Sequence, residues 1–425
     1  MRASDLTIVC DHQCSLMWTK PGFAIIKQCS HLQTIIKGNA SGALTSDDGP
    51  GETPLPVAYH EGRFPPARLD LEALFPLVGP ANAAIARYEG VLAGIPNPDI
   101  LLSPLTAREA VLSSKIEGTQ VTLGEVLEFE AQGHLFDEST PKKADAREVL
   151  NYRAALREAE SLMAQLPLSQ RLIKATHCVL MDGVRGRNKD PGEYRRIPNW
   201  IGPEGCTIEQ ARFVPPGADR IDDAMARWEA YIHAASPDRL VQLAIVHAEF
   251  ESIHPFLDGN GRIGRLIIPL FLYAHGQLSR PNFYLSEYLE ANRDEYYDRM
   301  LAISRDDDWS GWVAFFLRGI ITQADANTRK AQAILALHQD KRDRVVEITH
   351  SQYAVRALDW IFQRPIFKTP DFIASAQIPP ATARKIVRDL RDNGLLRELV
   401  PAAGRAPATL VFAELLNIAE GREAF

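Results

Sequence analysis

The sequence predicts a mainly α-helical protein, interrupted once by a β-hairpin and closed by a small α+β unit. Three observations predict this. From Leu69 to Leu335 apolar residues recur three and four apart, in segments closed by Gly or Pro. One interval, Arg196 to Pro216, breaks that rhythm. The last eighty or so residues combine helical segments with two short extended ones around a Gly/Pro loop.

Residues 1 to 58 are unlike the rest. They hold three of the five cysteines and end in a polar run, Gly38 to Pro56, so they read as a poorly ordered leader. Pro76, Gly79 and Pro80 interrupt the first helical part, after which Ala81, Ile85, Tyr88 and Leu92 share a face. Thr106 to Ile116 is amphipathic and stops at Gly118. Further helical patterns cover Ala144 to Ala164, Ser169 to Met181, Ile221 to Ala234, Arg239 to Ile253, Gly261 to His275, Glu287 to Ser304 and Trp309 to Leu335. In the interval 196–216, Trp200-Ile201 and Ala211-Arg212-Phe213-Val214 flank a Pro-Glu-Gly-Cys turn, which predicts a hairpin. At the C-terminal end, Tyr353 to Phe362, Thr369 to Ser375 and Ala381 to Asn393 are helical, and Leu395 to Leu399 and Thr409 to Phe412 are extended. Helix, turn, helix and a two-stranded wing over 346–425 is a winged-helix pattern.

With 425 residues the chain is long enough for two or three domains, each with its own core. A formal net charge of -7 argues against nucleic-acid binding by overall electrostatics. No stretch approaches the roughly 20 apolar residues of a membrane helix, and the N-terminus lacks a basic segment followed by an apolar run. Five sparse cysteines are no disulfide framework. The expectation is a cytoplasmic protein without membrane contact.

The chemistry concentrates between His254 and Arg265, which reads His-Pro-Phe-Leu-Asp-Gly-Asn-Gly-Arg-Ile-Gly-Arg. Pro255 disfavours helical geometry at His254, so the preceding helix should stop there. Gly259 and Gly261 free the backbone to turn successive N–H groups toward an anion where a new helix begins, a natural phosphate site. Arg262 and Arg265 share a face of that helix and can grip two phosphate groups. Asp258 is a hard oxygen ligand suited to Mg²⁺ bridging phosphates. At the rim, His254 is of the type that removes a proton from an attacking hydroxyl at neutral pH.

These twelve residues resemble the Fic family signature, His-x-Phe-x-Asp/Glu-Gly-Asn-Gly-Arg-x-x-Arg, at every fixed position, and the likeness extends over roughly 60–340. The resemblance implies a Fic-type helical bundle, with an N-terminal region over 59–150 and a catalytic core over 151–340. It implies a protein adenylyltransferase: His254 deprotonates a Ser, Thr or Tyr hydroxyl of a target protein, which attacks the α-phosphate of ATP. Asp258 would position Mg²⁺. Gly259, Asn260, Gly261, Arg262, Ile263, Gly264 and Arg265 would line the nucleotide, Arg265 reaching the γ-phosphate. Asn292, with Tyr288 and Tyr297, would lie near the adenosine. The hairpin, about 197–214, would be a flap that aligns the target by strand addition. Gly261 stands where the related Doc-type kinases carry Lys, which favours AMP transfer over phosphate transfer.

Ser113-Ser114-Lys115-Ile116-Glu117-Gly118 resembles the inhibitory motif of the same family, Ser/Thr-x-x-x-Glu-Gly/Asn. Ser113 and Glu117 share a helix face, and Gly118 is a natural terminator. A Glu117 carboxylate on Arg265 would take the donor that the γ-phosphate needs and leave low basal activity. Removal of AMP from a modified protein, with Glu117 positioning water, is an alternative that uses the same residues. Self-modification and a homodimer stay open. So does the C-terminal unit: Arg384, Arg388 and Arg391 form a stripe that could touch DNA. Yet Asp389 and Asp392 interrupt it, and ten Lys/Arg against nine Asp/Glu over 346–425 leave the unit nearly neutral. Protein docking is the competing reading, and a DNA-binding regulator with a vestigial core is its extreme.

Overall fold

A computed structural model describes residues 55–132, 140–183, 189–203, 205–404 and 406–425. The leader expectation therefore falls outside the described residues over 1–54. Its expected end at 58 lies beyond the start of an ordered strand, β1 (Val57–Ala58).

The protein is mainly helical. The first helix, α1 (Leu71–Ala93), runs through Pro76 and Pro80, contrary to the expected interruption. Both prolines face solvent, so water satisfies the carbonyls they leave unpaired. The opposite stripe, Leu74, Ala81, Ala84, Ile85, Tyr88 and Leu92, is buried and keeps the helix regular. After α2 (Pro98–Leu101) come α3 (Ser103–Ile116), α4 (Leu123–Gln132), α5 (Pro141–Leu162) and α6 (Gln170–Leu180). Ser169 caps α6 by accepting from Leu172 N, at 3.4 Å.

The expected hairpin is replaced by a looser arrangement. Among the described residues of this interval only Ile201 and Phe213 form an antiparallel bridge, and a 3₁₀ turn, Ile208–Gln210, lies between them. Strand β2 (Phe213–Val214) pairs instead in parallel with β1. The physical reason is reach: the turn leaves too few extended residues for a ladder, and the N-terminal segment supplies the missing partner. That segment is anchored by a buried cluster. Tyr59 donates to Glu249 Oε1 at 2.6 Å, and His60 bridges Glu249 Oε2 at 2.8 Å and Ser304 Oγ at 2.7 Å.

The centre of the molecule is the pair α8 (Arg239–Ile253) and α9 (Asn260–Ala274), preceded by α7 (Ile221–His233). Nearly every residue of α8 and α9 is buried, because other helices cover them on all sides. Asp238 caps α8 by accepting from Leu240 and Val241 N, both at 2.9 Å. The expected helix 287–304 is two: α10 (Ser286–Ala291) and α11 (Arg293–Asp306) meet at Asn292. The next, α12 (Trp309–Thr349), continues well past Leu335, lies along α1 and carries the C-terminal unit.

In that unit, α13 (Ala354–Gln363), β3 (Ile366–Lys368), α14 (Thr369–Ser375), α15 (Pro380–Asp392), β4 (Arg397–Val400), β5 (Thr409–Val411) and α16 (Ala413–Glu420) follow one another. The strands form an antiparallel sheet in the order β3-β5-β4. Strand β3 and helix α16 go beyond the expected pattern. Ala383, Ile386, Val387 and Leu390 of α15 face the core as their spacing predicts. No helix among the described residues is long and apolar enough to cross a membrane.

Candidate functional site

The twelve-residue motif forms the turn between α8 and α9, at the middle of the core. His254 ends α8 outside the helical region, as Pro255 favours, but in the left-handed region, φ 51° and ψ 58°, rather than extended. Gly259 caps α9 at φ 76°, also left-handed. The Asn260 carboxamide clamps the loop, accepting from Phe256 N at 2.8 Å and donating to Phe256 O at 2.9 Å. Its side chain is therefore committed to the loop rather than turned toward a ligand. The first intrahelical bond is Ile263 N to Gly259 O, so the N–H groups of Asn260, Gly261 and Arg262 have no carbonyl partner within α9. They form the positive end of the helix.

Two residues from elsewhere in the chain hold this turn. Arg195 is buried and spends its guanidinium on carbonyls: His254 O at 2.9 Å, Ile197 O at 3.2 Å and Pro216 O at 2.6 Å. Burial without a carboxylate pushes its pKa down to about 10. His177 donates from Nε2 to Asp258 O at 2.9 Å and accepts at Nδ1 from Gly192 N at 2.8 Å. Its ring stacks on Phe256 at 3.8 Å. Burial lowers His177 to about 4, so it is a neutral strut.

His254 is 9% exposed. Its Nδ1 lies 3.2 Å from Glu251 O, which fixes that nitrogen as the donor and leaves Nε2 a lone pair with no protein partner among the described residues. Burial first, then the Arg195 charge, lowers its pKa to about 4. Asp258 binds Lys189 at 3.0 Å and Arg262 at 3.4 Å, and accepts from Gly259 N at 2.7 Å. Burial works to raise its pKa, but Arg262 and Lys189 outweigh this and hold it below the ordinary value. Arg262 also pairs with Glu148 at 3.1 Å.

Arg265 is occupied. Its Nε donates to Ser113 Oγ at 2.8 Å, and its Nη2 to Ser113 O at 3.0 Å and Glu117 Oε1 at 2.7 Å. Helix α3 ends at Glu117, and Gly118 turns the chain away at φ 106°. Burial raises Glu117, but Arg265 outweighs it and keeps the carboxylate ionised. A Cβ on Gly261 would overlap the Glu117 carboxylate. The carboxylate thus lies against the N-terminal turn of α9, where an anion would sit.

Beside it opens a cavity of about 110 Å³. Glu117, Glu251, Ser252, Arg293, Tyr296 and Tyr297 lie on its walls, with Ile201 and Phe213 of the flap segment. It is largely apolar with a few polar groups, as ligand sites are. Asn292 is not on its wall. The Asn292 carboxamide donates back to Tyr288 O at 2.8 Å, because the residue is spent on the junction between α10 and α11. Tyr288 packs on Phe315 and Gly319 instead. Ile263 also departs from its expected place, its N–H bonded within α9 and its side chain buried. Gly264 faces Glu251 rather than the nest.

Arg195, His177 and Glu251 were not singled out from the sequence. Arg195 and His177 lie 59 and 81 residues from the atoms they hold, and only folding brings them there. Glu251 stands three residues before His254, and a buried acid in an apolar helix was its one available signal.

Comparison with known proteins agrees with this architecture. Residues 75–161 match the Fic/DOC family N-terminal profile and residues 167–272 the Fic/DOC family profile. The chain is similar to proteins named protein adenylyltransferase Fic. The one from Drosophila grimshawi is 27% identical over 212 residues, 47% of this chain and 38% of that protein. The one from Drosophila virilis is 30% identical over 173 residues, 38% of this chain and 31% of that protein. The one from Culex quinquefasciatus is 30% identical over 129 residues, 29% of this chain and 22% of that protein. The chain thus spans well under half the length of these relatives. Among solved structures, a Fic family protein from Desulfovibrio desulfuricans G20 superposes with a TM-score of 0.53 at 20% identity, covering 82% of this chain and 98% of that one.

Proposed function

Taking as premise that the chain carries both Fic/DOC domains, we propose that it transfers AMP from ATP to a hydroxyl of a protein and is held back by its own Glu117. One observation carries the reading: an ionised carboxylate, Glu117, lies at the open start of α9 on the arginine that would hold the end of a triphosphate. In the forward reaction the unpartnered Nε2 of His254 takes the proton of the target hydroxyl. The oxygen then bonds to the α-phosphorus as the bond to the β-phosphate bridging oxygen breaks, and pyrophosphate leaves. The N–H groups of Asn260, Gly261 and Arg262, with the Arg262 side chain, stabilise the charge that builds on the phosphates. The apolar walls at Tyr296 and Tyr297 suit the nucleoside.

A divalent ion fits this chemistry. Asp258 is one hard carboxylate at the phosphate site, and Mg²⁺ commonly binds through one or two carboxylates plus substrate phosphates. Once bound it would neutralise charge on the leaving pyrophosphate. Strand β2 already has neighbours on both sides, β1 and Ile201, so the target backbone would add along 197–201.

The C-terminal unit reads as a winged helix that docks protein. On α15, Lys385 pairs with Asp389 at 2.7 Å, and Arg391 with Glu398 at 3.3 Å. Most of the charges that DNA would need thus already have partners within the unit. A gel shift with DNA is expected to show no salt-sensitive binding.

Labelling with ATP carrying the label on its α-phosphate tests the main reading. Wild type is expected to label weakly, with Glu117→Gly roughly 10- to 100-fold higher, the range for losing a charge-assisted hydrogen bond. His254→Ala in the Glu117→Gly background is expected to fall by about 10²–10⁴. Equal labelling by wild type and Glu117→Gly contradicts the autoinhibition, and labelling that survives His254→Ala contradicts the assigned base.

A further inference from the structure

Glu251 is a second carboxyl within electrostatic reach of Arg265, though not bonded to it, and its Oε1 has no hydrogen-bond partner among the described residues. It occupies the last turn of α8, on the wall of the cavity that Glu117 also lines. Its Oε1 is buried and unpartnered. The facing helix makes room for it, since a Cβ on Gly264 would overlap Oε1 and a side chain there would expel the carboxyl. An orphaned buried carboxyl oxygen is costly and calls for a role. Neither the base, the phosphate nest nor the loop struts use it.

We propose that Glu251 is a positioning residue that competes with Glu117 for the Arg265 guanidinium and so sets how firmly the brake is held; this rests on the autoinhibited reading above. Two carboxyls line one largely apolar cavity, Glu117 bonded to the Arg265 guanidinium and Glu251 unbonded beside it. While Glu117 is ionised on Arg265, the pair is neutral, and a second negative charge beside it is disfavoured. Glu251 then keeps its proton. Burial first raises its pKa, Arg265 opposes this, and Glu117 adds to the rise, placing Glu251 at about 7. Removing that proton makes Glu251 repel Glu117 and attract Arg265 at once. Conversely, when Glu117 leaves, Arg265 draws Glu251 into its charged form. The two carboxyls therefore titrate as a coupled pair.

The other groups around Glu251 do not change charge in this range. Tyr296 of α11 stays neutral, its hydroxyl pushed up by burial. His247, one turn earlier on α8, is held neutral by burial, down to about 3. His254 is neutral above about 4. Arg293 and Arg212 are the other charged side chains on the cavity wall. The sign follows: rising pH ionises Glu251, loosens Glu117 from Arg265 and releases activity.

Two measurements on the full chain test this. In the first, wild-type labelling is expressed as a fraction of Glu117→Gly labelling at the same pH. The fraction is expected to rise about tenfold between pH 6 and 8.5, the equilibrium equivalent of a one-unit coupling. Glu251→Gln, which cannot ionise, is expected to flatten it. A fraction flat in wild type, or rising equally in Glu251→Gln, overturns the proposal. In the second, carboxyl-carbon NMR follows the Glu251 titration with and without Glu117→Gln. The midpoint is expected near pH 7 in wild type and at least one unit lower in the variant. An unchanged midpoint overturns the proposal even if Glu251→Gln fails to fold. If Glu117→Gly labels at no pH, the transfer reading fails, while the NMR midpoint still decides the role of Glu251.

Discussion

His254 is a neutral imidazole at neutral pH, its proton on Nδ1 and its Nε2 ready to accept one. Burial and Arg195 have lowered its pKa to about 4, so the base form persists through the physiological range. In the Glu117→Gly variant the labelling rate should hold a plateau from pH 8 down to about 5 and fall only as pH approaches 4. A half-fall near 6.5, the ordinary histidine value, would contradict the assigned environment. Arg195 is the residue through which that environment is built. Lysine there keeps a charge but loses the fork that binds several carbonyls at once. Arg195→Lys is expected to lower Tm and to reduce Glu117→Gly labelling by about 10²-fold, the cost typical of misplaced reacting groups. At this scale the sequence was legible where chemistry is consecutive. His254, Asp258, Gly259, Gly261, Arg262 and Arg265 stand within twelve residues and meet at one turn. Arg195 and His177 were not, because nothing in a linear string marks a side chain destined for a carbonyl 59 residues away.

On the proposed reading helix α3 is a bolt. Its last turn places Ser113 and Glu117 on one face, and both reach Arg265. The Ser113 hydroxyl supplies one of three bonds to the guanidinium, so its loss should loosen the bolt without withdrawing it. Ser113→Ala is expected to raise basal labelling about fivefold, the equivalent of ~1 kcal/mol. In the Glu117→Gly background the same change should give no further rise. Element by element, the periodic patterns located most helices to within a residue or two, and Arg239 to Ile253 fell where its apolar residues and Asp238 cap put it. The misses have local causes. Two exposed prolines suggested a break in α1 that a buried stripe overrides. Asn292 splits an apparently continuous pattern. The flap segment spends its extended residues on a turn and on β1.

The whole molecule leans on that bolt. Arg108, also on α3, is mostly buried and pairs with Glu420 of α16 at 2.5 Å and with Glu287 of α10 at 3.0 Å. Ser103 at the start of α3 donates to Gln363 O at the end of α13, at 3.3 Å. The C-terminal unit, carried on the long α12, thus contacts α3 directly, at Arg108 and at Ser103. Arg108→Ala is expected to lower Tm by a few degrees and to raise basal labelling, whereas a labelling rate unchanged despite the lower Tm would uncouple the unit from the brake. These long-range seams were the least legible part of the sequence. The pairing of β1 with β2, and the contact of α16 with α3, depend on which surfaces meet after folding, and no periodicity within either element encodes its partner.

The central claim is that Glu117 and the tail of a nucleotide compete for Arg265. Calorimetric titration of ATP and of ADP, each with Mg²⁺, addresses it most directly. In wild type the two should bind with equal affinity, because the γ-phosphate finds its donor taken. In Glu117→Gly, ATP should gain about tenfold over ADP, and Arg265→Ala should erase the gain, since a charge-assisted contact of ~1.5 kcal/mol is worth that factor. An ATP preference already complete in wild type would contradict the account.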